Sequence, residues 1–209
     1  MSTEPSIKGY ALSSVIDDLR RLIEEGRVSH AKLEQALSAE ARSLLGSEIS
    51  NALWYPVAPY GEMLDLLLEV EGRGSEEYLR GRGKRTFERL RALGLYQQLD
   101  FLQRNASEQV AREDVMRAIK MSFTLYSTVY NFGRYQVEVD PENPDQVRQI
   151  IYEAGPLPDA ALPIIAGFCT ESLCVLAAGR KIMSVEARRS GPDTVEFALD
   201  LAPILSDLD

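Results

Sequence analysis

The chain has 209 residues, of which 45% are apolar and 26% are charged. This composition is typical of one globular domain with a core to bury, and it argues against disorder, collagen-like repeats and coiled-coil rods. The 32 acidic and 23 basic residues give a formal charge of -9, which repels nucleic acid and anionic membrane surfaces. The sequence shows no membrane-length apolar run and no signal-peptide pattern, so we expect a cytoplasmic protein with neither kind of partner.

Helical periodicity dominates from about residue 7 to residue 130. The first apolar stripe predicts a helix that ends near Gly26, and two short helices follow, the second capped by Ser38 and ending at Gly46. A central helix follows Pro59, and the next begins after Ser75 with two acidic residues at the positive end of its dipole. The stripes of these five helices consist of Val15, Leu19, Leu22 and Ile23; Leu33, Ala36 and Leu37; Leu44 and Leu45; Tyr60, Met63, Leu64, Leu67 and Leu68; and Tyr78, Leu79, Phe87, Leu90 and Leu93.

A sixth helix before residue 133 carries phenol hydroxyls on its apolar face. Gly133 provides a natural stop for this helix. The residues on its face are Val115, Ile119, Ser122, Phe123, Tyr126, Val129 and Tyr130.

After Gly133 the period changes from that of a helix to that of a strand. Alternating strands are expected over 134–139 and 147–152, and again over 181–188 and 194–201. An apolar helix over 159–178, closed by Gly179, separates the two hairpins. We therefore predict a single α+β domain over residues 1–209, in which a mainly helical part (about 7–130) packs on a four-stranded antiparallel sheet built as β-β-α-β-β (about 131–202).

Histidine and cysteine are too scarce for the common metal and nucleophile sites. The one histidine, His30, lies among charged and small residues at an expected helix start, which is typical of a surface position. Cys169 and Cys174 lie five apart in an expected helix, so they point about 140° away from each other and are poorly placed to form a disulfide or share a metal. We expect two small buried apolar residues, and a redox pair is the alternative. A zincin, a two-histidine iron site and a zinc finger are excluded. We expect no catalytic residue, no metal and no cofactor.

Four groups of short segments carry a resemblance to known proteins: Ile7-Lys8-Gly9-Tyr10-Ala11-Leu12; Trp54-Tyr55-Pro56-Val57 with Tyr60; Asn131-Phe132-Gly133-Arg134; and Ala166-Gly167-Phe168 with Val185-Glu186 and Phe197. Together they resemble a paralogous family of myxobacteria, which is similar to 4-vinyl-reductase-type ligand-binding domains and, more distantly, to haem nitric-oxide/oxygen-binding domains. The resemblance covers about residues 7 to 201. It implies a sensory α+β fold whose helices lean on a four-stranded antiparallel sheet and enclose a small-molecule pocket.

The chain departs from these relatives at their metal sites. The haem relatives use a histidine on a helix just before the sheet, whereas no histidine follows His30 here, so haem ligation of that kind is excluded. Vinyl-reductase-type domains often end in a Glu, Cys, Gly-Asp, Cys, Phe pattern that can hold zinc. Here Glu186 is followed by Arg189, Gly191, Val195 and Phe197, so the thiolates are missing and we expect no zinc site.

Aromatic side chains and one arginine are the candidate ligand-binding residues, since pockets are commonly lined by aromatics with a few polar anchors. They are Trp54, Tyr55, Tyr60, Tyr126, Tyr130, Phe132 and Arg134. Ordinary core packing remains the alternative for each aromatic residue, and a solvated or ion-paired position for Arg134. The only basic cluster, Arg80 to Arg91, is either a receptor for an acidic or phosphorylated partner or a solvated helix face.

The leading functional hypothesis is a non-enzymatic sensory or adaptor domain. It binds a small, partly apolar ligand between helices and sheet and signals through a protein partner or a homodimer. The first alternative is a ligand-free interaction or dimerisation module that docks through the sheet or the 159–178 helix, which would require a large exposed apolar patch. The second is an enzyme related to vinyl reductases, with tyrosines as proton donors.

Overall fold

The computed structural model describes residues 4–92, 94, 112–176 and 185–202. In chain order these residues form β1 (Ser6–Lys8), α1 (Gly9–Glu24), α2 (His30–Ala36), α3 (Ala39–Leu45), β2 (Trp54–Pro56), α4 (Val57–Val70), α5 (Glu76–Ala92), α6 (Arg112–Val129), β3 (Arg134–Val139), β4 (Gln146–Tyr152), α7 (Ala161–Leu176), β5 (Glu186–Gly191) and β6 (Thr194–Asp200). The predicted α+β class and the four-stranded antiparallel sheet are confirmed. The order of strands across this sheet is β3-β4-β6-β5.

The predicted helix starts agree with the cap geometry. The side chain of Ser29 accepts a hydrogen bond from the backbone N–H of Lys32 at the start of α2. Ser38 does the same for Ala41 at the start of α3, which ends before Gly46. These hydroxyls satisfy backbone donors that have no partner within the first helical turn. The expected stop at Gly179 and the first residues of the expected 181–188 strand lie outside the described residues.

The end of α6 differs from the prediction, because the helix stops at Val129 rather than at Gly133. Tyr130 leaves the helix to form a β-bridge with Ile7. The side chain of Asn131 accepts a hydrogen bond from Ser6 N at 2.7 Å and donates one to Glu4 O at 3.0 Å. Pairing with the distant β1 strand therefore replaces the last helical turn.

The β1 strand is a joint that the sequence did not predict. On one side β1 pairs antiparallel with β2, which places Ile7 opposite Tyr55. On the other side it meets Tyr130 and Asn131 at the end of α6. Ile7 is fully buried between the two. This short strand therefore ties the first helices to the segment that leads into the four-stranded sheet.

The four-stranded sheet has one apolar face and one charged face. On the apolar face, Val147 pairs with Leu199 and Ile151 with Val195, and all four are buried. On the charged face, Arg148 binds Glu138 at 3.0 Å and Arg188 binds Glu196 at 2.7 Å. Ion pairs between neighbouring strands therefore lie on the charged face, whereas the apolar face packs against helices.

Helices α5 and α7 touch through two glycines. A Cβ atom at Gly83 would overlap the carbonyl oxygen of Ile164, and one at Gly167 would overlap the carbonyl oxygen of Arg80. Beside this contact, the rings of Phe87 and Phe168 meet edge to face with centroids 5.4 Å apart. Gly83, which lowers helix propensity within α5, is therefore required for the close approach of the two backbones.

Two polar groups fix α5 and the end of α4 against α1. Arg82 is 8% exposed and is paired with Asp18 of α1. Glu71, at the end of α4, accepts hydrogen bonds from Arg21 at 2.7 Å and from the Tyr78 hydroxyl at 2.6 Å. Charge-assisted bonds of this kind are stronger than neutral ones and fix side-chain geometry.

Substitution of Gly83 by alanine tests the helix contact. The added Cβ would push the α7 backbone away, so we expect Gly83→Ala to lower the free energy of unfolding by about 2 to 3 kcal/mol. The matched control is Gly81→Ala in the same helix, where the new Cβ would meet only the flexible end of Arg85. That variant should be unchanged or more stable by up to ~1 kcal/mol. Urea unfolding of both variants measures the difference, and equal effects would contradict the contact.

The stability contributed by Glu71 should depend on pH. Burial alone would raise the pKa of Glu71, but the hydrogen bonds from Tyr78 and Arg21 outweigh burial and lower it below the ordinary value of 4.5. The charged form is therefore favoured by folding, and its contribution is complete above that value and is lost as the pH falls through the folded pKa. Urea unfolding should show Glu71→Gln less stable than wild type at neutral pH, with the gap closing as the pH falls below the ordinary glutamate value of 4.5. A gap that is independent of pH would show that the charge is not responsible.

Candidate functional site

Four tyrosines from three elements meet between the helices and the sheet: Tyr60 of α4, Tyr126 of α6, Tyr130 just after α6, and Tyr135 of β3. We call them the tyrosine cluster. The rings of Tyr126 and Tyr130 stack with centroids 4.5 Å apart, and the rings of Tyr126 and Tyr135 are 4.8 Å apart. Tyr60, Tyr126 and Tyr130 are each at most 8% exposed. The cluster is a buried aromatic layer that carries several hydroxyls.

Local structure explains why two of these rings stack. Residues four apart lie on one face of a helix, and the backbone N–H of Tyr130 still donates to the carbonyl of Tyr126 at 3.0 Å. The clamp of Asn131 on β1 then holds the end of α6 in place. The positions of Tyr126 and Tyr130 are therefore set by the helix on one side and by β1 on the other.

The hydroxyls of the cluster differ in whether they have a hydrogen-bond partner. The Tyr135 hydroxyl donates to the carbonyl of Phe132 at 2.9 Å, and the Tyr130 hydroxyl donates to that of Tyr60. The Tyr126 hydroxyl is buried and, among the described residues, has no hydrogen bond of acceptable geometry. Its interaction with the Tyr135 hydroxyl is too loose to complete one. A buried donor in this state costs about 1 to 3 kcal/mol.

Burial keeps these phenols protonated. It raises the pKa of Tyr126 and Tyr130 well above the ordinary value of 10.0, and the neighbouring tyrosines raise it further. Burial also raises the pKa of Tyr60 and Tyr135. At physiological pH the cluster therefore offers neutral hydroxyl donors and acceptors, and it provides no phenolate base.

Arg189 on β5 lies on the same face of the sheet as Tyr135, on the opposite edge strand. Strand pairing places Tyr135, Ile151, Val195 and Arg189 in one row across the sheet. The guanidinium of Arg189 binds Asp159 at 2.9 Å and the carbonyl of Leu157 at 2.7 Å. Its charge slightly offsets the effect of burial on the pKa of Tyr126. Tyr126 is thus exposed to the field of a cation that is already fixed by other partners.

The buried thiol of Cys169 on α7 is poorly suited to act as a nucleophile. Both cysteines are free, as their spacing predicted. Cys169 is buried and donates to the side chain of Gln149 at 3.6 Å, and burial raises its pKa to about 12. A thiol that stays protonated is a poor nucleophile and a poor metal ligand.

The structure divides the predicted ligand-binding residues into two groups. Tyr60, Tyr126 and Tyr130 come together, and the ring of Phe132 lies edge-on to Tyr130 with centroids 5.5 Å apart. The second group lies apart from this layer and comprises Trp54, Tyr55 and Arg134. Sequence reasoning missed Tyr135 as a site residue, although its alternation with the exposed residues of β3 placed it on the inner face.

Each member of the second group has a separate role. Trp54 is 41% exposed, with Lys8 Nζ 4.2 Å from the ring centroid. The Tyr55 hydroxyl accepts a hydrogen bond from the backbone of Ser50 at 2.9 Å. Arg134 is exposed, and its guanidinium carbon lies 5.1 Å from the ring centroid of Tyr152.

Three side chains of the basic cluster of α5 are engaged within the protein. Arg80 donates to the carbonyl of Val185 at 2.8 Å, Arg82 is paired with Asp18, and Lys84 lies 3.2 Å from Glu171. These three side chains therefore tie α5 to its neighbours.

Neither a group of metal ligands nor a membrane-length apolar helix occurs in the described part of the chain. Within residues 4–92, 94, 112–176 and 185–202, no group of three or more His, Cys, Asp or Glu side chains is placed to hold a metal ion. In the same ranges, no helix combines the length and the apolar character needed to cross a bilayer.

Comparison with known proteins identifies the fold. No family model and no curated protein matches the chain. The crystal structure of the Fe(II) unliganded H-NOX protein from K. algicida is similar, with a TM-score of 0.56 and 13% identity over 93% of this chain and 96% of that chain. A point mutant of the same protein gives a TM-score of 0.54 and 14% identity with the same coverage. The chain therefore has an H-NOX-like fold, whereas the proposed relations to a myxobacterial family and to vinyl reductases have no support from these comparisons.

Removal of the Tyr126 hydroxyl should not destabilise the protein. Because this buried donor lacks a good partner, we expect Tyr126→Phe to unfold at the same free energy as wild type or up to ~1 kcal/mol higher. Tyr130→Phe is the matched variant, and it should lose about 1 kcal/mol because its hydroxyl donates to Tyr60. Urea unfolding compares the two. A larger loss in Tyr126→Phe would mean that its hydroxyl is satisfied in the folded protein.

Proposed function

We propose that this chain is a sensory domain that binds a small, partly apolar ligand at the tyrosine cluster and signals through a protein partner. The fold supports the sensory assignment, because the likeness to an H-NOX protein extends over 93% of the chain. The observation that carries the ligand site is the buried Tyr126 hydroxyl, which has no good hydrogen bond to any described residue. An uncommitted donor among aromatic rings is the chemistry that recognises an apolar molecule with one acceptor atom.

Haem held by a histidine does not fit this chain, although haem is the group that H-NOX domains usually bind. His30 is the only histidine, and its side chain is 84% exposed on α2, 3.4 Å from Glu34. The buried Cys169 is engaged with Gln149, and the phenols of the cluster are held neutral. The proposal is therefore a ligand that needs no metal bond from the protein.

Binding at the cluster has a direct path to the rest of the fold. A ligand atom that accepts a hydrogen bond from the Tyr126 hydroxyl must lie against the stacked rings of Tyr126 and Tyr130. Tyr130 is bridged to Ile7, and Asn131 binds Ser6. A shift of the stack therefore moves β1 and with it the start of α1. This movement is the proposed signal, and a partner protein that contacts the N-terminal helices would detect it.

The alternative function is a ligand-free interaction or dimerisation module. One observation favours it: Leu53 and Trp54, adjacent in sequence, are 58% and 41% exposed. Val139 at the end of β3 is 43% exposed. Isolated exposed hydrophobic residues are common on monomers, so we rank this function second.

Native mass spectrometry of the gently purified protein tests the proposal. We expect a mass increment that disappears on denaturation and that is reduced in Tyr126→Phe because the ligand loses its hydrogen-bond donor. Tyr152→Phe is the control, since this ring lies on β4 against Arg134 and its variant should keep the increment.

Three outcomes separate the candidate functions. An increment that Tyr126→Phe retains in full would contradict the cluster as the site. A bare monomer in all variants would contradict a tightly retained ligand. A bare dimer that dissociates in Trp54→Ser would establish the interaction module instead.

A further inference from the structure

The proposed function makes no use of a cleft between the first three helices. It has a volume of about 310 Å³ and shares no residue with the tyrosine cluster. Ile23, Leu33 and Leu45 supply its apolar surface. Leu33 and Leu45 are 7% and 8% exposed, so they form a floor rather than a rim. The volume is at the lower end of the range of small-molecule pockets.

Two arginines line the cleft, and the ends of short helices hold them in position. Arg20 donates from Nε to the carbonyl of Leu45 at 3.0 Å and from Nη2 to that of Ser47 at 2.7 Å. Arg42 donates from Nη1 to the carbonyl of Leu37 at 2.5 Å and to that of Glu34 at 3.3 Å. These carbonyls lie at the ends of α2 and α3, where helices leave acceptors unsatisfied. Both guanidinium groups are thereby fixed before any ligand arrives.

Each fixed guanidinium keeps donors to spare. An arginine carries five N–H donors in a planar fork, and these hydrogen bonds use Nε and Nη2 of Arg20 and Nη1 of Arg42. The nearest acid to Arg20 Nη1 is Asp17, at 4.0 Å and with a 71% exposed side chain. An exposed pair at that distance contributes little. The cleft therefore has preorganised donors suited to an oxyanion.

The charges around the cleft limit the anion to one negative charge. Two guanidinium groups face one carboxylate, because Glu24 also lines the cleft. His30 lines it as well, and its imidazole lies 3.4 Å from Glu34. Among the residues that line the cleft the excess is thus about one positive charge, and the carboxylates of Asp17 and Glu34 add negative charge beside it. The whole chain has a formal charge of -9. A dianion would be repelled both by Glu24 and by the net negative charge of the chain.

We propose that the cleft between α1, α2 and α3 binds an amphiphilic monoanion, a carboxylate on an apolar tail of about eight carbons. The carboxylate lies against the guanidinium groups of Arg20 and Arg42, and the tail covers Ile23, Leu33 and Leu45. This site does not depend on the tyrosine cluster, so the failure of one proposal would leave the other intact.

Octanoate is the probe, and 1-octanol is the neutral control of equal chain length. Calorimetric titration of the full chain should give one site with a Kd of roughly 0.1 to 1 mM for octanoate, and binding of 1-octanol should be at least about tenfold weaker. Amide chemical shifts of the ¹⁵N-labelled protein should change mainly within residues 17–47.

Variants of the arginines and of the apolar surface of the cleft complete the test. Arg20→Gln should weaken octanoate binding about tenfold, whereas Arg20→Lys should retain part of the affinity because it keeps the charge. Arg188→Gln is the control: Arg188 is 72% exposed on the sheet and paired with Glu196, and its loss should change nothing. Ile23→Phe keeps both arginines and should reduce binding by filling the cleft. Thermal unfolding of each variant shows that it is folded.

The proposal is overturned by any of three results. Equal affinity for octanoate and 1-octanol would show that the arginines do not bind the carboxylate. Shift changes confined to residues outside 17–47 would place the ligand elsewhere. Equal binding by wild type, Arg20→Gln and Ile23→Phe would remove the cleft from the site.

Discussion

The close crossing of α5 and α7 joins the helical part of the chain to the sheet. It exists because Gly83 lies against the carbonyl of Ile164 and Gly167 against that of Arg80, with no side chain in between. From α7, Cys169 reaches Gln149 on β4. From α5, Arg82 reaches Asp18 on α1. Protein interiors are close-packed and transmit small displacements, so the separation of these two backbones fixes how the first helices are positioned relative to the sheet.

A second joint lies at β1, and the tyrosine cluster is next to it. Asn131 binds Ser6 and Glu4 across 125 and 127 positions of sequence, which holds the end of α6 against a strand that also pairs with β2. The rings of Tyr126 and Tyr130 are stacked at this point. The cluster is therefore placed where the helical part meets the sheet, and this position makes a buried hydroxyl donor there relevant to a sensor. The α1–α2–α3 cleft is built differently, because its arginines are held by the carbonyls of short helices.

Part of the candidate site could be predicted from the sequence. The spacing of Tyr126 and Tyr130 places them on one helix face, and this pair does lie in the buried layer with Tyr60. Trp54 was grouped with them on aromatic character alone, which does not determine burial, and the structure leaves it 41% exposed. Tyr135 was missed because the strand pattern gives the face of a residue but not what packs on that face. The unsatisfied Tyr126 hydroxyl was also beyond prediction, since hydrogen-bond geometry depends on neighbours from other elements.

The sequence by itself determined the fold class, the helices with strong apolar stripes, the cap at Ser38, and the alternating strands of the sheet. These features depend on residues within a few positions of one another, where periodicity and capping act. It also determined that a histidine-held haem has no ligand near the sheet, because His30 is the only histidine. Only the tertiary structure decided the C-terminal end of α6, the pairing of β1 and the role of Gly83. It also decided the tyrosine cluster and the α1–α2–α3 cleft. Each of these features depends on groups that are distant in sequence. Such groups interact only when the folded chain brings them together.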